Sequence, residues 1–214
     1  MLKNVGGLAA ITPQLADMVS AEIWGIYPWR VSITNIAAGL IPLVDGQQDY
    51  SAPTNIYRLL KISITRTDTT PDDNRELNVV QDLSDNMVSQ SYQSIRSAAL
   101  QRGIGKIRLE SAVQVPSGTL LELSGQYQMN PAKITALTDQ LWFDDQHVHV
   151  FLKGLMYWAY KLGDDPRASV QLNEYRQAVE QMARAEDFGA IDTIFPGEGS
   201  IGSGSSGGWN IWGW

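Results

Sequence analysis

The sequence predicts an α+β fold. A helical bundle, built from an N-terminal helix and a C-terminal helical hairpin, carries an inserted antiparallel β module and ends in a flexible C-terminal tail. Three observations support this expectation. Apolar residues recur at helical spacing near both ends of the 214-residue chain. Between those ends the apolar period falls to two, with polar turns separating short runs. Beyond about residue 188 periodicity stops and Gly and Ser take over. The expected boundaries are 1–28 and 139–188 for the bundle, 29–138 for the β-rich insertion and 189–214 for the tail.

Thr12 and Pro13 read as a helix N-cap followed by proline at the first helical position. Leu15, Met18, Val19, Ile23 and Ile26 then repeat at helical spacing, and Pro28 stops the helix by Tyr27. Trp29 is expected to anchor the core at this exit. "WRVSITNI", "IYRLLKISITRT" and "RELNVV" alternate apolar and polar residues, and the last two form a hairpin around "DTTPDDN". "DLSDNMVSQSYQSIRSAALQRG" reads as one or two short helices, from Ser84 or Asp85 to Gly103. "KIRLESAVQVPSGTLLELSGQYQM" reads as two strands joined at "PSG".

From Asp144 onward, Val148, Phe151, Leu152, Leu155, Ala159 and Leu162 make one helical face, widened by Tyr157 and Trp158. "GDDP" turns the chain. Val170, Leu172, Tyr175, Val179, Met182 and Phe188 mark the returning helix, on which Glu180 and Arg184 are spaced for an ion pair. Leu15, Val19, Ile23, Phe151, Leu155, Tyr175 and Val179 are the expected bundle core.

Composition narrows the function classes. Cysteine is absent, which excludes disulfides, thiolate metal sites and a cysteine nucleophile. A net charge of −7 argues against a protein that grips nucleic acid through its phosphates. It does not argue against one past which DNA merely slides, since an acidic lining repels phosphate. The opening "MLKNVGGLAAITPQL" lacks the apolar run of a signal peptide, and no stretch approaches a membrane span, so synthesis in a cytoplasm is expected.

"FDDQHVHVF" is the one segment with metal-ligand chemistry. Asp145 and His149 share a helix face, while His147 points elsewhere. Zinc needs three or four convergent ligands, and the chain has no further His and no Cys. The simpler reading is that Asp144 or Asp145 caps a helix. "GSGSSGG" lacks the Lys-Ser/Thr and helix of a phosphate loop, and neither "SGS" nor "SSG" sits between a strand and a helix as a nucleophile elbow does. The expectation is therefore no catalytic residue, no metal and no cofactor. The rival classes are a small metal-dependent hydrolase using Asp145 and His149, and a sugar-binding β module with exposed aromatics. Metal analysis tests the first and glycan binding the second.

The chain closes with "GEGSIGSGSSGGWNIWGW", which places three of its seven tryptophans in six residues. Gly-rich chain is costly to order, and disordered segments usually lack aromatics. Burying three tryptophans is worth about 12–18 kcal/mol gross. Ordering all of 197–214 would cost roughly 18–36 kcal/mol, whereas fixing only the last six residues costs roughly 6–12. An anchor on a loose tether is the arrangement that can win, with Trp209, Ile211, Trp212 and Trp214 as docking residues.

"LVDGQQDYSAPTNIYRLLKI", with Gly46, Tyr50 and Pro53 after the helix end "EIWGIYPWR", resembles the opening of the β region in phage head-to-tail adaptor (connector) proteins. "VFLKGLMYWAYKLGDDPRASVQLNEYRQAVEQM" is similar to the helical hairpin that closes those proteins. The nearest likeness is to the tail tubular protein A-like adaptors of short-tailed phages, over most of 10–188. The resemblance implies a non-enzymatic structural protein of the virion, placed at the head–tail junction and assembled in the host cytoplasm. It implies a dodecameric ring of copies under the portal protein, joined to the tail nozzle protein. Double-stranded DNA would pass through without sequence-specific binding, and no membrane would be involved. The helical part would face the portal and the β part the phage tail or neighbouring subunits. A tail nozzle or head-completion protein is the alternative within the same role. The residues after Phe188 fall outside the shared pattern.

Overall fold

The computed structural model describes residues 12–68, 73–85, 88–136 and 138–186. They divide into two compact units, one formed by the chain up to Val31 and again from Pro131, the other by Ser32–Asn130.

The second unit is a sheet. Its strands are β1 (Ile33–Asn35), β2 (Asp49–Ser51), β3 (Ile56–Arg66), β4 (Asp73–Val80), β5 (Ser89–Ser91), β6 (Ser97–Gln101), β7 (Lys106–Leu109), β8 (Ala112–Gln114) and β9 (Leu121–Met129). Seven of them form one sheet in the order β1-β9-β3-β4-β6-β7-β2, and β5 pairs with β8 separately. The hairpin of β3 and β4 runs antiparallel from Ile62 opposite Leu77 to Arg66 opposite Asp73. Alternation explains the core. Ile62 and Ile64 on β3 join Leu77, Leu109, Leu121 and Leu123 on the buried face.

Strand β9 is bent at Gly125. Its φ is 154°, and a Cβ there would lie 2.1 Å from the Lys61 carbonyl oxygen. The β3–β9 register slips between Leu59 and Lys61, directly across from it. Only glycine permits this approach, and such a bulge bends the strand and increases its twist.

The expected class, a helical bundle with an inserted antiparallel β module, is not what forms. The described residues make a mostly sheet fold, with seven strands in a curled half-barrel sheet and three α-helices. Two findings overturn the expectation. Residues 84–103, read as helix, supply β5 and β6, and Ala98 and Ala99 are fully buried. The seven-stranded sheet is also mixed, because β4 pairs parallel with β6, and the separate β5–β8 pair is parallel too. The stretch read as two strands joined at "PSG" contains three, β7, β8 and β9. Serine and alanine carry no strong β signal of their own, so helix propensity misled where tertiary pairing decided.

The first unit holds α1 (Thr12–Ile26), α2 (Val148–Leu162) and α3 (Ala168–Ala185). Pro13 lies in the first turn of α1, and the helix ends two residues before Pro28. Trp29 is fully buried, and its Nε1 donates to the Ile23 carbonyl at 2.7 Å, occupying one of the acceptors that a helix end leaves open. In the turn before α3, Asp164 adopts φ 54°, and the Arg167 guanidinium holds the Asp165 carboxyl down to about 2. The Glu180–Arg184 pair forms one turn apart on α3.

The buried face of α2 differs from the expected one. Leu152 and Leu162 are exposed and Leu155 is half-buried, while Val150, Phe151, Gly154 and Tyr157 face the core. Gly154 is the reason. A Cβ there would come within 2.6 Å of Val19 Cγ1 and 3.0 Å of Tyr175 Cε2, so the missing side chain lets α1 and α3 close on α2. On the flanking helices Met18 and Val170 are also exposed, and Phe188 lies outside the described residues.

The helical core contains polar groups. Glu22 Oε2 accepts a 2.7 Å hydrogen bond from Trp158 Nε1, and the Lys161 ammonium sits 4.3 Å from the Trp158 ring centroid. Burial pushes the Glu22 carboxyl up, outweighing the Trp158 bond and the nearby Lys161 and Arg176 charges. The Tyr175 hydroxyl has no hydrogen-bond partner among the described residues, and burial pushes its pKa up as well.

Two outcomes are expected. Gly125→Ala should destabilise the sheet unit by about 1–3 kcal/mol or more, because the new methyl meets backbone rather than a movable side chain. Denaturant unfolding measures it, and a change under about half a kcal/mol would remove the bulge from its structural role. The second concerns pH. The folded pKa of Glu22 is raised, so its favourable contribution is complete below the unfolded value of 4.5 and is lost as pH rises through the folded value. Glu22→Gln keeps a carbonyl oxygen for Trp158. It should unfold at higher denaturant than the parent at pH 7, with the gap closing below pH 4.5. Equal midpoints at pH 7 would contradict this.

Candidate functional site

The residues with ligand chemistry do not assemble a centre. His147 ends a short 3₁₀ turn (Asp145–His147), His149 lies in the first turn of α2, and their ring centroids are 6.5 Å apart. His149 Nδ1 lies 2.9 Å from the Gln146 carbonyl oxygen. Asp144 precedes the turn and its carbonyl accepts from the His147 N–H at 2.9 Å, but its carboxylate makes no capping bond. Among the described residues no three His, Cys, Asp or Glu side chains converge as a metal requires. The hydrolase reading therefore gains no support. Leu15, Val19, Ile23, Phe151, Tyr175 and Val179 are buried, and Leu155 packs at the margin of the helical core. Trp209, Ile211, Trp212 and Trp214 lie outside the described residues.

The Gly46, Tyr50 and Pro53 pattern has a folding role. Gly46 adopts φ 75° and donates its N–H to the Val113 carbonyl at 2.8 Å. Tyr50 is buried on β2, and its hydroxyl donates toward the carbonyls of Gln47 at 3.0 Å and Val44 at 3.3 Å. Burial pushes that hydroxyl up to about 12. Pro53 closes the turn into β3 by accepting from the Ile56 N–H at 3.2 Å. On the neighbouring strand, Arg108 grips the Asp49 carboxylate through two bonds of 2.7 and 2.8 Å and holds it below the usual carboxylate range.

The outer face of the sheet carries two surfaces that the sequence reading did not single out. The first is an open trough lined by Asn35, Lys61, Ser63, Asn74, Glu76, Ser124 and Gln126. Its floor is cross-linked by the Thr65 hydroxyl, 2.6 Å from Asn74 Oδ1 and 2.5 Å from Ser124 Oγ. Lys61 and Glu76 pair across it at 3.3 Å. None of the described residues lining it is aromatic, so it offers no stacking platform for a sugar ring.

The second is an apolar edge. "IAAGLIPLV", residues 36–44, has no polar or charged side chain. It runs along β9. The Leu43 N–H donates to the Leu121 carbonyl at 2.8 Å, the Leu123 N–H to the Ile41 carbonyl at 2.9 Å, and Pro42 bridges Glu122. Continuing that register places Val44 across from Leu120. Ile36, Ile41 and Leu43 enter the core, while Ala37, Ala38, Leu40, Pro42 and Val44 face solvent. Leu40, Val44 and Leu120 are 54%, 52% and 65% exposed. The readable signal was the uncharged run itself, masked because three of its nine residues serve the core. Together these surfaces offer the chemistry of contact with another macromolecule.

No curated protein matches the chain. A family model described as SU10 adaptor protein matches residues 9–194, which takes in both units and stops before the Gly/Ser-rich stretch. With the match covering most of its length, the chain belongs to the SU10 adaptor protein family and is a structural adaptor of the phage virion.

Proposed function

We propose that the protein is a head–tail connector. Copies form an oligomeric ring, dodecameric in this reading, on the portal protein. The ring joins the portal to the tail nozzle protein and lets double-stranded DNA pass during ejection. The family match over residues 9–194 carries this reading. Charge supports it: the chain has 16 Lys and Arg against 23 Asp and Glu, a balance that lets DNA slide past without being held. The helical unit faces the portal and the sheet unit faces the phage tail or neighbouring subunits. In this reading, residues 1–28 with 139–188 and residues 29–138 act as separate parts, and residues 189–214 form a tether. Its tip, Trp209, Ile211, Trp212 and Trp214, docks on the portal or on a neighbouring connector subunit. Assembly takes place in the host cytoplasm, no reaction is catalysed, and no membrane is engaged.

Imaging purified protein mixed with portal tests the reading. A coaxial ring of added density on the portal is the expected result, and a bare portal at saturating protein overturns it. The isolated chain should sediment at micromolar concentration as a monomer or a weak associate, because like-charged copies repel and a partner must template the ring. A stable dodecamer without portal would refute templating.

A further inference from the structure

We propose that the apolar edge of the sheet unit, Leu40, Pro42, Val44 and Leu120, receives the tryptophan tip, residues 209–214, of a second copy of this chain. The inference rests on the reading of that tip as an anchor and names its receptor.

The edge needs a cover. Its three large side chains are each more than half exposed, and Ala37, Ala38 and Pro42 extend the apolar surface between them. The carboxylates beside it are already engaged with backbone. Glu122 accepts from the Gly39 N–H at 2.6 Å, and Asp45 from the Val115 N–H at 2.9 Å. These bonds fix both carboxylates against neighbouring backbone, and the surface between them is apolar and matches an uncharged apolar partner.

The edge also selects how it is read. Leu43 and Ile41 direct their bonding groups at β9, so the backbone of Pro42 faces outward. Proline has no N–H to offer, which disfavours extension of the sheet by an added strand. The occupant must therefore bring side chains.

The tip has the matching chemistry. Residues 199–214 contain no charged side chain, and "WNIWGW" concentrates three indole rings and an isoleucine. Each tryptophan hides about 150–250 Å² when buried, and its flat face packs well against proline and branched aliphatic groups. The tether has the reach. Twenty-two residues separate Glu186 from Trp209, a length that can span up to about 75 Å when extended. A tether of that length can reach a neighbouring copy, and repetition around a ring raises the effective concentration.

The test uses four full-length chains: the parent, Val44→Ser/Leu120→Ser, Trp209→Ala/Trp212→Ala/Trp214→Ala, and the two sets combined. A synthetic peptide of residues 203–214 is titrated into the triple variant, with indole fluorescence as the readout. Binding is expected, and adding Val44→Ser/Leu120→Ser to that chain should weaken it at least tenfold. Leu40→Ser is the independent probe if the double variant unfolds. Sedimentation of the parent should show association that rises with concentration and is lost in every variant. Peptide bound to portal but not to this chain would overturn the receptor while leaving the anchor standing. Peptide bound to neither would remove the anchor itself. Concentration-independent burial of the indoles, lost on Val44→Ser/Leu120→Ser, would show the tip closing on its own copy and overturn the second-copy assignment.

Discussion

The sheet unit depends on one close approach, Gly125 against the carbonyl of Lys61. Strand β9 has β3 on one side and β1 on the other, so a bend at its centre is imposed on both neighbours. The same residue fixes the edge beyond β1, because its carbonyl accepts the Ile36 N–H at 2.9 Å. Ile36 begins the uncharged run that returns along β9 as far as Val44. A single missing side chain thus curls the sheet and sets where its apolar margin begins. Any Cβ at that position would have to displace backbone on β3, which is why the constraint acts on the whole sheet.

A second glycine has the corresponding role among the helices. Gly154 admits Val19 and the Tyr175 ring into the space a side chain would have filled. The gain in packing comes with polar groups carried inward. Tyr175 brings a hydroxyl with no partner among the described residues, and Glu22 brings a carboxylate that burial disfavours. The Trp158 bond to Glu22 and the Lys161 ammonium over the same ring offset part of that cost. The helical core is therefore tuned by what the small residue lets in.

This explains what the sequence made legible. The first helix, the β3–β4 hairpin and the returning helix α3 were readable because their periodic apolar residues meet the core directly and their ends carry proline or turn residues. The face of α2 was misassigned because its innermost position is a glycine, which hydrophobic patterning counts as nothing. Residues 84–103 were misread because serine and alanine leave the choice to tertiary pairing. The resemblance to adaptors was legible through Gly46, Tyr50 and Pro53. These residues build the turn into β3 and lock β2, so they mark a fold, not a reactive centre. The apolar edge was hidden in plain residues. Alternation sends Ile41 and Leu43 inward and Leu40, Pro42 and Val44 outward, and a reading of composition alone cannot separate the two sets.

For a structural adaptor attention falls on surfaces, and the chemistry of those among the described residues is restrained in a consistent way. An exposed apolar edge on a sheet invites indiscriminate strand addition. Here Pro42 turns a backbone position without an N–H toward solvent, and Glu122 and Asp45, each held by a neighbouring backbone N–H, keep negative charge beside the edge. What remains open is side-chain contact of modest area, weak when made once. A surface of that kind discriminates by repetition: a single contact exchanges rapidly, while many identical contacts held in register by a common partner persist. The geometry of the edge therefore suits a protein that stays dispersed until a template gathers its copies, and the proline that blocks strand addition is what keeps the weak contact from becoming aggregation.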